Sequence, residues 1–161
     1  MQGAQVVRPG PNILIAEDEL LLREALQDAL EDAGHTVVTA RNGLEALLLL
    51  DRMARPALIV LDLQMPVMDG ITFLNALRGR TDAADFEVLA MSALVDAEWL
   101  EHLPGVLRTL RKPFEVKEIL EAADESLERR ARPAGSASGP AEQSTPALGP
   151  ETKVAGPRED S

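Results

Sequence analysis

The chain has 161 residues, 45% of them apolar, and carries 16 Lys and Arg against 27 Asp and Glu for a net charge of -11. That length suits one domain of ordinary size with its own core plus a tail, so a second folded domain is not expected. The acidic balance has the wrong sign for attraction to nucleic-acid phosphates or anionic membranes, and the lack of cysteine excludes disulfide frames and thiolate metal sites.

Residues 1–11 contain one arginine and no apolar run of the kind a secretory signal needs, and read as a flexible leader. Apolar runs such as Leu58 to Leu63 fall far short of a membrane span, so a soluble, cytoplasmic protein is expected. From residue 12 to 130, strand and helix patterns alternate. Ile13 to Ala16 predicts a strand, and Leu20 to Ala33 repeats apolar residues at helical spacing until Gly34. Thr36 to Ala40 is β-branched and predicts a second strand; Gly43 to Met53 predicts a helix closing before Pro56. Ala57 to Leu61 is the almost wholly apolar kind of strand that is buried on both faces. A helix over Gly70 to Arg78, a strand over Phe86 to Met91, a short helix over Asp96 to His102, a strand over Val106 to Leu110 and a last helix over Glu115 to Arg130 follow. Five β-α units in series predict an α/β fold, a doubly wound five-stranded parallel sheet with right-handed crossovers and helices on both faces. Residues 131–161 are rich in Pro, Gly, Ser and Ala with few large apolar side chains, so they predict a disordered tail.

Polar residues stand where these strands end. Glu17-Asp18 follow the first strand, Asp62 the third, Ser92 the fourth and Lys112 the fifth. In an open parallel sheet, chemistry sits beyond the carboxyl ends of the strands, so these groups are expected to converge. Asp62 is the most telling, because an ionised group closing an apolar strand is costly unless paired, hydrogen-bonded or metal-bound. Clustered carboxylates repel one another unless a cation sits among them, and oxygen-only ligands favour a hard ion, so Mg²⁺ is the expected cofactor. A hydroxyl and an ammonium at two further strand ends supply what a transferred phosphoryl group needs, with charge neutralised, oxygens held and a carboxylate nucleophile in place.

With these residues in view, the chain resembles a response-regulator receiver domain of two-component signalling, with the flavodoxin-like three-layer fold. The resemblance rests on Glu17-Asp18, on Leu58-Ile59-Val60-Leu61-Asp62 with Met65-Pro66-Val67-Met68-Asp69-Gly70 behind it, on Met91-Ser92-Ala93 and on Lys112-Pro113-Phe114. The chain distances from Asp18 to Asp62 and from Asp62 to Ser92 are usual for that family. The resemblance implies that Asp62 accepts a phosphoryl group from the phosphohistidine of a sensor histidine kinase or histidine phosphotransfer protein. It implies Mg²⁺ ligands from Asp18, the Asp62 carboxylate and the Gln64 backbone carbonyl, with Glu17 acting mainly through a water. Ser92 and Lys112 would each hold a phosphoryl oxygen, and a cis Lys112-Pro113 bond is expected. Output would run through a protein target near the fourth helix, fifth strand and last helix, without nucleic acid or membrane, from a stand-alone domain that is a phosphoacceptor with slow autodephosphorylation rather than a turnover enzyme.

Three departures bear on the switch. Thr109 occupies the position where the family usually carries an aromatic residue, the stretch from Ser92 to Lys112 is shorter than usual, and Gly105-Val106 replaces a common Gly-Ala. The competing readings are a pseudo-receiver or scaffold that binds without phosphorylation, which Thr109 favours, and an enzyme on a similar sheet. For an aspartyl phosphatase, Gln64 stands where the second aspartate belongs; for a flavodoxin, Glu17-Asp18-Glu19 would repel a phosphate. His35 and His102 lack ligand spacing and are assigned to packing or surface roles, Trp99 to core filling or a partner patch, and Glu125 and Arg129 to an i,i+4 pair on a solvated face.

Overall fold

Strands that are apolar at every position have no face to show to water, and the structure covers both sides of them. The computed structural model describes residues 10–94 and 96–131; residues 1–9 of the predicted leader and 132–161 of the predicted tail lie outside the described residues. Five strands, β1 (Ile13–Ala16), β2 (Val37–Ala40), β3 (Ala57–Asp62), β4 (Phe86–Ser92) and β5 (Val106–Arg111), form one parallel sheet in the order β2-β1-β3-β4-β5. This is the flavodoxin-like order expected from the sequence. The helices are α1 (Leu20–Asp32), α2 (Gly43–Leu49), α3 (Gly70–Arg78) and α4 (Val116–Ala131).

The two-residue period of a strand divides the core into two layers. Ile13, Ile15, Leu58, Val60, Leu89 and Met91 point to one face, where α1 covers them with Leu26 and Leu30 and α4 with Ile119, Ala122 and Ala123. Leu14, Ala16, Ile59, Leu61, Val88 and Ala90 point to the other, under Ala46 of α2 and Phe73, Leu74 and Leu77 of α3. Ala25 and Ala33, part of the apolar pattern read for the first helix, are exposed, so the leucines carry its burial.

Three details differ from the sequence reading. The second helix ends at Leu49 and continues as a 3-10 turn over Leu50–Arg52, because Pro56 bars the helical conformation at Arg55 and the chain unwinds ahead of it. The short fourth helix is a 3-10 helix, Glu98–His102, since Pro104 stops it and Gly105 takes a positive φ of 87° immediately before β5. The Glu125–Arg129 pair does not form: Arg129 reaches across to Glu87 on β4 and Glu125 to Arg108 on β5 at 3.6 Å. Ion pairs to the sheet replace a pair along the helix. Among the described residues no helix is long and apolar enough to cross a membrane.

Candidate functional site at the strand ends

Register brings the polar residues to one level. Ala16 pairs with Leu61, Asp62 with Met91 and Ser92 with Arg111. Beyond the ladder the Leu63 amide donates to the Met91 carbonyl at 3.0 Å and the Lys112 amide to the Ser92 carbonyl at 2.8 Å. Parity then selects a face: Glu17 continues Ile13 and Ile15, Asp62 continues Leu58 and Val60, and Lys112 continues Leu110, all residues of the α1/α4 side. These three side chains meet. Lys112 Nζ lies 2.9 Å from Glu17 Oε2 and 3.2 Å from Asp62 Oδ2.

Each carboxylate is held by a further donor. Glu17 Oε1 accepts from the Glu19 amide at 3.0 Å, and Asp62 Oδ1 from the Gln64 amide at 3.0 Å. Glu17 and Asp62 are buried, whereas Asp18 is exposed at the mouth. Carboxylate oxygens of all three lie within 4.8 Å of one another. Ser92 is buried at the end of β4, and its hydroxyl oxygen accepts from the Leu94 amide at 2.9 Å rather than joining the acid cluster. The Lys112–Pro113 peptide bond is cis, as expected, and so is Arg55–Pro56.

Burial pushes the carboxyl pKa of Glu17 and of Asp62 up, and their bonds to Lys112 and to the Glu19 and Gln64 amides only partly offset it. Burial works against the Lys112 ammonium too, but its bond to Glu17 and the charges of Asp62 and Glu17 outweigh that and hold its pKa above the ordinary value. One ammonium facing two buried carboxylates and a third at the rim leaves the cluster short of positive charge. The donor set, oxygen without sulfur or imidazole, is one that a hard divalent cation fits.

The turn behind Asp62 is built by its own residues. The Asp69 side chain accepts from the Thr72 amide at 2.7 Å and caps α3, and that bond holds its carboxyl below the ordinary value. A Cβ on Gly70 would stand 2.4 Å from the Asp62 carbonyl oxygen and 2.6 Å from Leu63 Cα, so only glycine lets α3 start against the end of β3. Val67, at the tip, has a φ of 68°, an uncommon conformation for a β-branched residue.

Two contributors had no signal in the sequence. Arg23 on α1 donates to the Glu17 and Asp18 carbonyls at 2.8 and 3.3 Å, tying the acidic pair to the helix that follows it. Glu101 on the 3-10 helix accepts from the Thr109 amide at 2.8 Å, while Thr109 Oγ1 donates to the Ala97 carbonyl at 3.4 Å. Of the residues weighed as distractions, His35 meets Asp124 of α4 at 3.1 Å, and Trp99 stands 54% exposed beside a fully buried Leu100.

The chain is 34% identical over 131 residues to the transcriptional regulatory protein PrrA of Mycobacterium tuberculosis, covering 80% of this chain and 54% of that protein. It is 38% identical over 119 residues to the probable transcriptional regulator ycf27 of Pyropia yezoensis, covering 74% of this chain and 48% of that protein. It thus spans about half the length of the curated relatives it matches, and a stand-alone role does not follow from them. The receiver domain of Francisella response regulator 1452 aligns with a TM-score of 0.66 at 28% identity, covering 74% of this chain and 98% of that one. Response regulator protein TrrA of Thermotoga maritima, solved in complex with Mg(2+)-BeF, aligns with a TM-score of 0.57 at 25% identity, covering 73% of this chain and 96% of that one. Residues 13–124, from the first residue of β1 into α4, match the response regulator receiver domain family. That match runs through every strand end that contributes to the acidic pocket, and the chain belongs to the receiver domains of two-component response regulators.

Proposed function

We propose that the domain is a phosphoacceptor: Asp62 takes a phosphoryl group from the phosphohistidine of a histidine kinase or phosphotransfer protein and passes the signal on through protein contacts. The observation that carries this reading is the Lys112 ammonium bridging Glu17 and Asp62 at the mouth of three converging carboxylates. In the transfer an Asp62 oxygen forms the new bond to phosphorus, the bond from phosphorus to the donor nitrogen breaks, and the imidazole leaves with that electron pair. The Gln64 amide and Lys112 limit the rotation of the Asp62 carboxylate and favour its ionised form against the effect of burial. Glu17, Asp18, Asp62 and the Gln64 carbonyl would hold Mg²⁺, which supplies charge neutralisation for the phosphoryl oxygens. Lys112 exchanges a carboxylate for a phosphoryl oxygen, and the Ser92 hydroxyl turns from the Leu94 amide toward another.

This is a stoichiometric step, not a turnover reaction. The acyl phosphate adds roughly one negative charge and three acceptor oxygens. Phosphoryl oxygens become available to Ser92 and Lys112 only in that state, so exchange onto them draws an existing equilibrium toward it. The segment that begins at Ser92 reaches Ala97 and Glu101, both fastened to Thr109, which supports a relay from the pocket to β5 without an aromatic side chain.

The test is the intact mass after incubation with acetyl phosphate, with and without Mg²⁺, for the native chain and Asp62→Asn. A Mg²⁺-dependent gain of one phosphoryl group, absent in the variant, is expected. Equal labelling of the variant would refute Asp62 as the acceptor, and no labelling of a folded, Mg²⁺-binding native chain from either acetyl phosphate or phosphohistidine donors would favour a binding module that acts without phosphorylation.

A further inference from the structure

The shortened segment between β4 and β5 leaves an opening beside the acidic pocket. A groove of about 890 Å³ lies between the brief 3-10 helix Glu98–His102 and the loop after β3. Met65, Pro66 and Ile71 form one wall, and Leu94, Trp99 and Leu100 the other. The second wall is anchored, since Glu101 and Ala97 are bonded to Thr109 on β5. Leu94 is 57% exposed and Trp99 54%, an unusual pairing of large apolar side chains at one mouth.

Charge narrows what could fill it. Asp18, Asp69 and Asp96 line the groove, and among the described residues no lysine or arginine does. Asp69 accepts from the Thr72 amide at 2.7 Å, a bond that holds its carboxyl below the ordinary value, and it lines the groove as an anion. An apolar floor with an exposed indole and an anionic rim matches a segment that presents an apolar anchor flanked by basic side chains. Indole faces attract cations as well as apolar groups, and tryptophan is among the residues that most often dominate binding energy at interfaces.

We propose that this groove seats a cationic amphipathic segment of a partner protein, with an apolar side chain between Met65 and Trp99 and basic groups reaching Asp69 and Asp96. It rests on the phosphoacceptor reading only for the identity of that partner as an output target; the binding itself needs no phosphate. The groove opens between the β3–α3 loop and the 3-10 helix, so it shares that helix with the output face expected from the sequence (fourth helix, fifth strand and last helix) but is walled by the β3–α3 loop instead of β5 and α4.

Trp99 is the only tryptophan and the chain has no tyrosine, so its emission reads the groove directly. The full chain is titrated with a fourteen-residue peptide of leucine and lysine in amphipathic helical spacing. Two control peptides replace lysine by glutamate or leucine by serine. Expected is a saturable blue shift with the leucine-lysine peptide alone, about five- to tenfold weaker binding in Asp69→Asn/Asp96→Asn, and little change in Glu24→Gln/Asp28→Asn, which removes equal charge from α1 on the opposite face of the sheet. Asparagine still caps α3, so the first variant keeps its fold.

No shift with the leucine-lysine peptide overturns the proposal, as does binding that both double variants weaken equally, which is attraction to an acidic surface without a site. Intact mass with acetyl phosphate and with a phosphohistidine donor on the same sample reports the phosphoacceptor reading separately. A labelled chain that leaves the peptide unbound sinks the groove alone, and an unlabelled chain that binds it sinks the acceptor assignment alone.

Discussion

Lys112 decides the electrostatics of the pocket because it is the cation that two buried carboxylates share. Lys112→Met leaves Glu17 and Asp62 facing each other without it, and breaking a buried pair from one side costs more than the pair contributes. The metal-free variant is expected to lose about 2 kcal/mol in urea unfolding, with part of that returned by excess Mg²⁺. Equal stability of variant and native chain in the absence of metal would contradict this account. Val67 carries the opposite lesson. Its side chain is 79% exposed and so packs little, yet its backbone sits at a φ of 68°. Val67→Gly is expected to raise stability by about 0.5–1 kcal/mol, the relief of strain exceeding glycine's extra freedom in the unfolded chain; a lower melting temperature would show that the turn is not strained.

The join of β3 to α3 is where an element boundary sets function. Asp62 ends the strand, and the helix must begin against its backbone with Asp69 as cap and Gly70 as the residue that fits. A methyl group at Gly70 meets backbone atoms, which cannot rotate away. Gly70→Ala should cost about 2–4 kcal/mol and slow labelling of Asp62, the proposed phosphoacceptor, by acetyl phosphate, because relief of the clash displaces the Asp62 carbonyl. Full stability with native labelling would mean that the helix moves freely, and the close approach would then carry no function. The Met65-Pro66-Val67-Met68-Asp69-Gly70 stretch announced this turn in the sequence. The 3-10 form of Glu98–His102 could be foreseen only in part: Pro104 and Gly105 mark where it stops, but the bonds from Glu101 and Ala97 to Thr109 join residues whose relation depends on how the segment folds back over β5.

Across the molecule, the end of the sheet away from the pocket is held by charge. Arg80 bonds Asp82 and Asp51 at 2.8 and 2.7 Å, and Arg55 reaches Asp82 at 2.6 Å while lying 5.0 Å above the Phe86 ring. This ties the turn after α3 to the end of α2 and the start of β3. The Arg80 bond holds the Asp82 carboxyl at about 2, below its ordinary 3.8. A depressed folded-state value contributes stability above pH 3.8 and loses it as pH falls toward 2. The melting-temperature gap between the native chain and Asp82→Asn should therefore be widest near neutral pH and narrow once pH drops below about 4. A gap as wide at acid pH as at neutral pH would show that the network acts through packing instead.

The alternation of strands and helices, the parallel sheet and the identities of Glu17, Asp18, Asp62, Ser92 and Lys112 were legible in the chain alone, because strand period and helix period are local properties and polar residues at strand ends converge in any doubly wound sheet. Local pattern also foretold two layers of core, since Ile13 and Ile15 must part from Leu14 and Ala16. Partner choice was not legible. Only the fold showed that Lys112 takes both Glu17 and Asp62, that Ser92 turns to the Leu94 amide, that Arg129 prefers Glu87 to Glu125, and that Trp99 stays in solvent above a groove. Each is a competition among groups far apart in sequence, settled by which of them the packed elements bring within reach.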